Sequence, residues 1–221
     1  MDQKLIMPWI EQLQSANWSR ASSIALGAYI LGCFTTGYYL VRICKGQDIR
    51  EFGSGNVGAK NVGRSLGWMG FLLTVLCDIG KGAFVVWAAR HFTKDDRVVV
   101  LAMLAVVAGH VWPVQLWFRG GKGMATSLGA LLIYDYHLAV AFVILFACAK
   151  MVLRKTVLPG LLAFASLPLV SMYLEHDHSK IAGISILAGL VLITHRKNLM
   201  DEVWHLIERR DVRPKRNQSD L

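Results

Sequence analysis

Two stretches of this 221-residue chain carry the residue types that hold anions. Residues 53–64 read GSGNVGAKNVGR, and residues 109–123 read GHVWPVQLWFRGGKG. Glycines let successive backbone N–H groups converge on one anion, and a nearby Lys or Arg supplies charge. In the first stretch Gly53 and Gly55 give that freedom and Lys60 and Arg64 the charge. Ser54, Asn56 and Asn61 add neutral hydrogen-bonding partners, and the guanidinium fork of Arg64 suits phosphate. In the second, Gly120, Gly121 and Gly123 bracket Lys122 just ahead of an apolar run. The spacing predicts a nest-like site at a helix N-terminus, whose dipole favours negative charge. His110 stands near Pro113, one turn inside the preceding helix. Plainer readings stand beside these: a flexible connector along lipid headgroups, and a packing histidine with a satisfied hydrogen bond.

Two familiar phosphate motifs are excluded. Gly53, Gly55 and Gly58 spell GxGxxG, but an apolar run of helical length, not a strand, precedes them. The stretch is not a P-loop either, because Lys60 lies between Ala59 and Asn61. Asp78 and Lys81, in CDIGKG, are three apart and share a helix face. Ionisable residues at membrane depth are costly, so the pair is either functional or an ion pair that locks packing. THRKNL brings His195, Arg196 and Asn198 to the end of the last apolar run, as site residues or as a basic helix end. Cys33, Cys44, Cys77 and Cys148 lack CxxC or Cys/His spacing and read as small hydrophobes, with no metal site implied.

The elements that must position these residues are apolar. The chain is 54% hydrophobic and 18% charged, the balance of an all-α, polytopic integral membrane protein. Seven apolar segments can be drawn: Ser22–Ile43, Ser65–Ala89, Val98–Phe118, Met124–Tyr134, Leu138–Leu153, Val157–Leu174 and Ile181–Thr194. With the N-terminus outside and the C-terminus cytoplasmic, 17 Lys or Arg fall in inner loops and tail against 6 outside. That orientation puts every glycine-rich basic segment on the cytoplasmic side. The net charge of +9 then reads as topology and affinity for anionic ligands, with no nucleic-acid module. Residues 1–21 are expected to form an interfacial segment around Trp9, Ile10, Leu13 and Trp18, and show no removable signal peptide. Residues 22–198 form the seven-helix domain, and 199–221 a polar cytoplasmic tail.

GSGNVGAKNVGR, GHVWPVQLWFRGGKGMAT and HRKNL resemble, in order, three signature segments of the bacterial acyl-phosphate:glycerol-3-phosphate acyltransferases. DIGKG is similar to that family's Asp-x-x-Lys-Gly, and the resemblance runs from about Ile30 to Asn198. It implies a seven-helix enzyme of the bacterial cytoplasmic (inner) membrane with its site at the cytoplasmic face. Such an enzyme moves a fatty acyl group from acyl phosphate to the 1-hydroxyl of glycerol 3-phosphate, giving lysophosphatidic acid for phospholipid biosynthesis. The family uses neither acyl-CoA nor acyl carrier protein, no cofactor or metal, and no covalent acyl-enzyme. Two phosphate-bearing substrates need two anion sites, and an acyl phosphate is already activated, so positioning and charge stabilisation can do most of the work.

Carried over by motif, Ser54, Arg64, Lys122 and His195 are the expected catalytic residues. Gly53, Gly55, Asn56, Lys60, Asn61, His110, Gly120, Gly121, Gly123, Arg154 and Asn198 are expected to bind substrate, with Asp78 and Lys81 in support. A monomer is expected, with the bilayer and the acyl-phosphate-producing enzyme as candidate partners. Three features depart from the family pattern: Lys60 replaces Thr, Val157 falls where a serine is usual, and MDEVWHL follows Asn198. A diverged paralogue that binds phosphate or lipid, or a small-anion transporter, are the alternatives. Two decoys lie on the expected outer side. His91 and Asp96, in HFTKDD, match the HxxxxD pattern of a different acyltransferase class, and His176 and His178 could bind a metal or simply belong to a polar turn.

Overall fold

The structure, a computed structural model, describes residues 18–154, 157–174 and 177–201. Most of the expected interfacial segment and polar tail, together with His176, lies outside the described residues. Eight helices are numbered here in chain order: α1 Trp18–Cys33, α2 Thr36–Lys45, α3 Ala59–Phe92, α4 Asp96–Val111, α5 Met124–Tyr134, α6 Tyr136–Leu153, α7 Val157–Leu174 and α8 His178–Thr194. No strand occurs among the described residues.

All seven predicted apolar segments are helical, and beyond shifts of a few residues at several ends, three differ in ways that shape the site. The first is broken at Phe34–Thr35 into α1 and α2. The second starts earlier than Ser65, so that Lys60, Asn61 and Arg64 ride on the first turns of α3. Gly67 interrupts that helix at φ 75°, ψ −168°, a conformation open essentially to glycine alone. The third segment stops at Val111 rather than Phe118, because Pro113 forces the preceding Trp112 out of the helical region (φ −123°). A short 3-10 turn, Val114–Leu116, follows.

Gly67 has open space where a Cβ would stand, so Gly67→Ala isolates backbone strain from packing. The substitution is expected to cost about 1–3 kcal/mol in a thermal or denaturant unfolding measurement in detergent.

Five stretches are long and apolar enough to cross a membrane: Trp18–Lys45, Ala59–Phe92, Asp96–Leu116, Tyr136–Leu153 and Val157–Leu174. Met124–Tyr134 and His178–Thr194 are apolar but shorter. The about seven spans read from the sequence therefore correspond to seven apolar segments, five of them of spanning length. Large side chains such as Leu26, Ile30, Trp87, Leu169 and Met172 face outward, as lipid-exposed helices require. Inside, Met103, Val106, Leu131, Phe164, Leu167, Ile184 and Leu187 close the core among α4, α5, α7 and α8.

Two close crossings organise the bundle, each made by a reciprocal pair of glycines. A Cβ on Gly32 would overlap the Val106 carbonyl and one on Gly109 the Tyr29 carbonyl, which fixes α1 against α4. Gly82 meets Thr126 O, and Gly129 meets Ile79 O, in the same way between α3 and α5. Without a hydrophobic drive between helices in lipid, such close backbone approach is a main source of association.

The two ends of the bundle differ in their helix caps. Asp95, Asp135 and Asp177 begin α4, α6 and α8, and each carboxylate accepts from an N–H of the first turn. At the other end α3 and α5 begin at Gly58 and Gly123, with no side-chain cap. First-turn N–H groups there are left for another anion.

Candidate active site

The loop of residues 46–58 is built before it can bind anything. Val41, Ile49, Val57 and Val62 form a small buried cluster that seats it on α2 and α3. Asp48 accepts from Arg50 N at 2.9 Å and pairs with the Arg50 guanidinium (2.6 Å), whose Nη1 donates to Leu116 O at 2.8 Å. Buried Asn61 organises the turn: its Nδ2 donates to Ile49 O, Phe52 O and Asn56 O (3.2, 2.8 and 3.0 Å), and its Oδ1 accepts from Ser54 N at 3.0 Å. Gly53 and Gly55 take positive φ values (58° and 68°), and a Cβ on Gly53 would strike the Asn61 amide. Asn61, expected to bind substrate, thus has its amide engaged by the loop and presents Ser54 instead.

The second loop is tied to α4 and α8. Gly120 N donates to Val111 O (3.1 Å) and Gly121 N to His110 O (2.9 Å). Here the structure corrects the expected nest, because those two amides are consumed within the protein. What remains is the N-terminus of α5 at Gly123, which adopts φ 83°. Thr194 Oγ1 lies 2.9 Å from Lys122 O and anchors that backbone to α8. Lys122 Nζ donates to Asn198 Oδ1, and burial pulls the ammonium below its ordinary pKa of 10.5, with Asp201 opposing the shift.

A cavity of ≈ 580 Å³ opens between these loops. Its polar end is lined by Ser54, Asn56, Lys60, Arg64, His110, Lys122, Gly123 and His195, with Asp78 and Asn61 behind. The uncapped starts of α3 and α5 both face it through Gly58, Ala59, Gly123 and Met124. Its other wall is apolar: Phe71, Val75 and Ile79 from α3, Leu128 from α5, Phe142, Val143 and Phe146 from α6, and Val157 from α7. A shallower polar cavity of ≈ 390 Å³ adjoins it at Ser54, Asn56 and Lys122 and adds Arg119, Gly120, Gly121, Arg196 and Lys197. An apolar groove of ≈ 320 Å³ continues from Ile79, Leu128 and Val143 toward Leu132 and Val140.

The two histidines present different edges. His195 Nδ1 is 2.8 Å from Val191 O, which accepts its proton and leaves Nε2 as a lone-pair acceptor. Burial lowers the His195 pKa from its ordinary 6.5, against the Val191 hydrogen bond, so the ring is neutral at pH 7. His110 Nδ1 lies 2.8 Å from Lys81 Nζ, which can only donate, so Nδ1 is an acceptor. Lys81 also sits 2.9 Å from Asp78 Oδ1 and donates to Phe34 O at 2.8 Å, at the break between α1 and α2.

Not every expected residue joins the site. Arg154 ends α6 in a left-handed conformation and lines none of these three cavities. His91 and Asp96 lie at the far end of α3 and the start of α4 and line none of these three cavities, and His91 stacks near Trp87. Among the described residues no group of His, Cys, Asp or Glu is arranged to hold a metal. Sequence reasoning missed Thr194, Arg119 and the apolar wall apart from Val157.

Fold and cavity together define an integral membrane protein built around a cavity that joins a cationic polar end to an apolar channel. The family model described as glycerol-3-phosphate acyltransferase matches residues 22–204. A curated relative, glycerol-3-phosphate acyltransferase 1 of Desulfitobacterium hafniense (strain Y51), is 42% identical over 84% of this chain and 92% of its own. The glycerol-3-phosphate acyltransferase of Synechococcus sp. (strain CC9902) is 41% identical over 80% and 88%. The crystal structure of PlsY, an integral membrane glycerol 3-phosphate acyltransferase, in its glycerol 3-phosphate form superposes with a TM-score of 0.78 at 31% identity, covering 84% of this chain and 92% of that one. Its lysophosphatidic acid form gives 0.75 at 28% identity. The chain belongs to the glycerol-3-phosphate acyltransferase family.

Proposed function

We propose that the protein transfers a fatty acyl group from acyl phosphate to the 1-hydroxyl of glycerol 3-phosphate, giving lysophosphatidic acid and inorganic phosphate. The observation that carries this reading is the single cavity that joins two uncapped helix N-termini and three cations, Lys60, Arg64 and Lys122, to an apolar channel. A phosphate and a fatty chain on one molecule fit it. Family membership supports the acyltransferase activity, and the relatives' names and the PlsY ligand forms support the acceptor.

The chemistry follows from the groups present. The acceptor hydroxyl oxygen bonds to the acyl carbonyl carbon, the bond from that carbon to the phosphate oxygen breaks, and phosphate departs. Lys122, Arg64 and the α5 N-terminus stabilise the charge that grows on the carbonyl and phosphate oxygens. Ser54 orients the phosphate, Asn198 lies outside the cavities and holds the Lys122 ammonium, and Lys60 adds a cation on the rim. His195 Nε2 accepts the hydroxyl hydrogen bond and orients the attack, and the proton leaves with the phosphate. Phe71, Phe142 and Phe146 hold the chain.

The excess of Lys and Arg in the loops at the site end supports a cytoplasmic-facing site in a bacterial inner membrane, with the N-terminus outside. We read the protein as a monomer supplied by the enzyme that makes acyl phosphate. Presenting purified protein in lipid with glycerol 3-phosphate and either palmitoyl phosphate or palmitoyl-CoA tests the donor. Lysophosphatidic acid is expected from palmitoyl phosphate alone; product from the CoA ester would overturn the donor assignment.

The protonation states set a pH profile. His195 must be neutral to accept, and burial lowers its pKa, so kcat/KM is expected to hold as pH falls through 6.5 and to drop only below it. Lys122 must be charged, and burial lowers its pKa, so the alkaline limb begins below 10.5. A profile with its acid limb above pH 6.5 would contradict the His195 assignment.

A further inference from the structure

Asp78 and Lys81 read from the sequence as either a packing lock or a support for chemistry, and the geometry points to the second. We propose that Lys81, held by Asp78, fixes His110 in the Nε2–H tautomer, so that His110 serves as a hydrogen-bond donor to the anionic oxygens of the bound acyl phosphate. The inference rests on the acyl-transfer reading above and adds a catalytic residue and its positioning residue.

Lys81 does not line the cavity; it stands behind His110. Its ammonium has three protons, and its three nearest acceptors are Asp78 Oδ1 at 2.9 Å, Phe34 O at 2.8 Å and His110 Nδ1 at 2.8 Å, with Gly32 O farther off at 3.4 Å. The third contact requires a bare Nδ1. His110 Nδ1 is also 3.6 Å from Asp78 Oδ1, beyond hydrogen-bond reach, so the carboxylate does not draw a proton onto that nitrogen. The ring proton therefore sits on Nε2. That edge abuts Gly121, where a Cβ would collide with the imidazole, so the ring reaches the backbone next to Lys122 only because residue 121 is glycine. Among the described residues no protein group accepts from Nε2, although the residue is buried and lines the cavity. The carbonyl of His110 meanwhile holds Gly121 N at 2.9 Å, so ring and loop move as one unit.

Asp78 has a second role in this arrangement. Without its carboxylate, a buried ammonium facing only carbonyls and an imidazole would lack a counter-charge. The pair keeps a cation locked behind the histidine while presenting a neutral donor to the substrate. Preorganised donors of this kind act on charge that develops in the transition state, so the effect belongs in kcat more than in KM.

A double-mutant cycle tests the assignment. His110→Gln keeps an N–H near the Nε2 position without needing a tautomer, whereas His110→Met removes it. His110→Met is expected to lower kcat about 10²–10³-fold with little change in KM, and His110→Gln to stay within about tenfold of wild type. Lys81→Met is expected to lower kcat by a similar factor in the wild-type background but only a few-fold when combined with His110→Gln. An equal loss in both backgrounds would overturn the proposal and return Lys81 to a packing role. Ring ¹⁵N spectra of the unliganded wild-type protein, with His110→Gln used to assign the signal, supply a readout independent of turnover. A protonated Nε2 and bare Nδ1, lost in Lys81→Met, are expected; a protonated Nδ1 in wild type would refute the tautomer. Absence of acyl transfer in wild type together with the expected spectrum would sink the acyl-transfer reading and leave the His110–Lys81 geometry standing.

Discussion

Lys122→Ala lowers turnover by about 10²–10³-fold while the protein remains folded. The expectation separates cleanly into chemistry and structure. The ammonium is the cation common to both polar cavities, half-buried between the α5 N-terminus and Asn198. Its removal leaves developing negative charge with the helix-terminal N–H groups, Arg64, the rim cation Lys60 and the His110 donor, without the central ammonium. The loop does not depend on that side chain: Gly120 N and Gly121 N hold it to α4, and Thr194 holds the Lys122 carbonyl to α8. Product formation from palmitoyl phosphate, read beside a thermal unfolding midpoint in detergent, checks both halves. Wild-type turnover in the variant would remove Lys122 from the mechanism.

Gly129→Val abolishes the fold rather than the chemistry. A Cβ at residue 129 would overlap the Ile79 backbone, which cannot swing aside as a flexible side chain would, and Gly82 makes the reciprocal contact one turn away. Overpacking at a close-packed site costs roughly 1–3 kcal/mol and more where backbone must move, against a total stability of about 5–15 kcal/mol. The same crossing carries Ile79 and Leu128, which line the apolar channel, so the site cannot survive its separation. Gly189→Val is the control, since open space surrounds that glycine. Folded yield by size exclusion in detergent is expected to collapse for the first and to hold for the second.

The polar, cationic end of the cavity was legible in the sequence because its signals are local. Glycines, amides and cations packed into twelve residues around Ser54, and again around Lys122, have few other uses beside a membrane helix. The apolar segments were legible for the same reason, and their charge bias supplied an orientation. The apolar wall was not legible. Phe71, Phe142 and Phe146 sit in helices where a residue facing lipid and one facing a cavity are chemically alike, so only packing tells them apart. Gly120 and Gly121 read as anion-binding amides, yet their N–H groups turn back onto α4, and Gly121 instead makes room for an imidazole. Asn61 and Thr194 show the same limit: whether an amide or hydroxyl meets a ligand or a carbonyl depends on contacts remote in sequence. Val157 and Lys60, two departures from the family pattern, share the one cavity, so a neutral hydroxyl is absent where a cation has been added.

The central claim is that one cavity holds the phosphate and the chain of the same donor, head to tail. A structure of the protein in lipid with a non-hydrolysable acyl phosphonate tests it most directly. The phosphorus is expected within hydrogen-bonding reach of Lys122 Nζ and the first-turn amides of α5, with the chain running past Phe71, Leu128 and Phe142 toward the groove at Leu132. A phosphonate bound away from Lys122, or a chain lying on the outer surface of α6 with the cavity empty, would contradict the account.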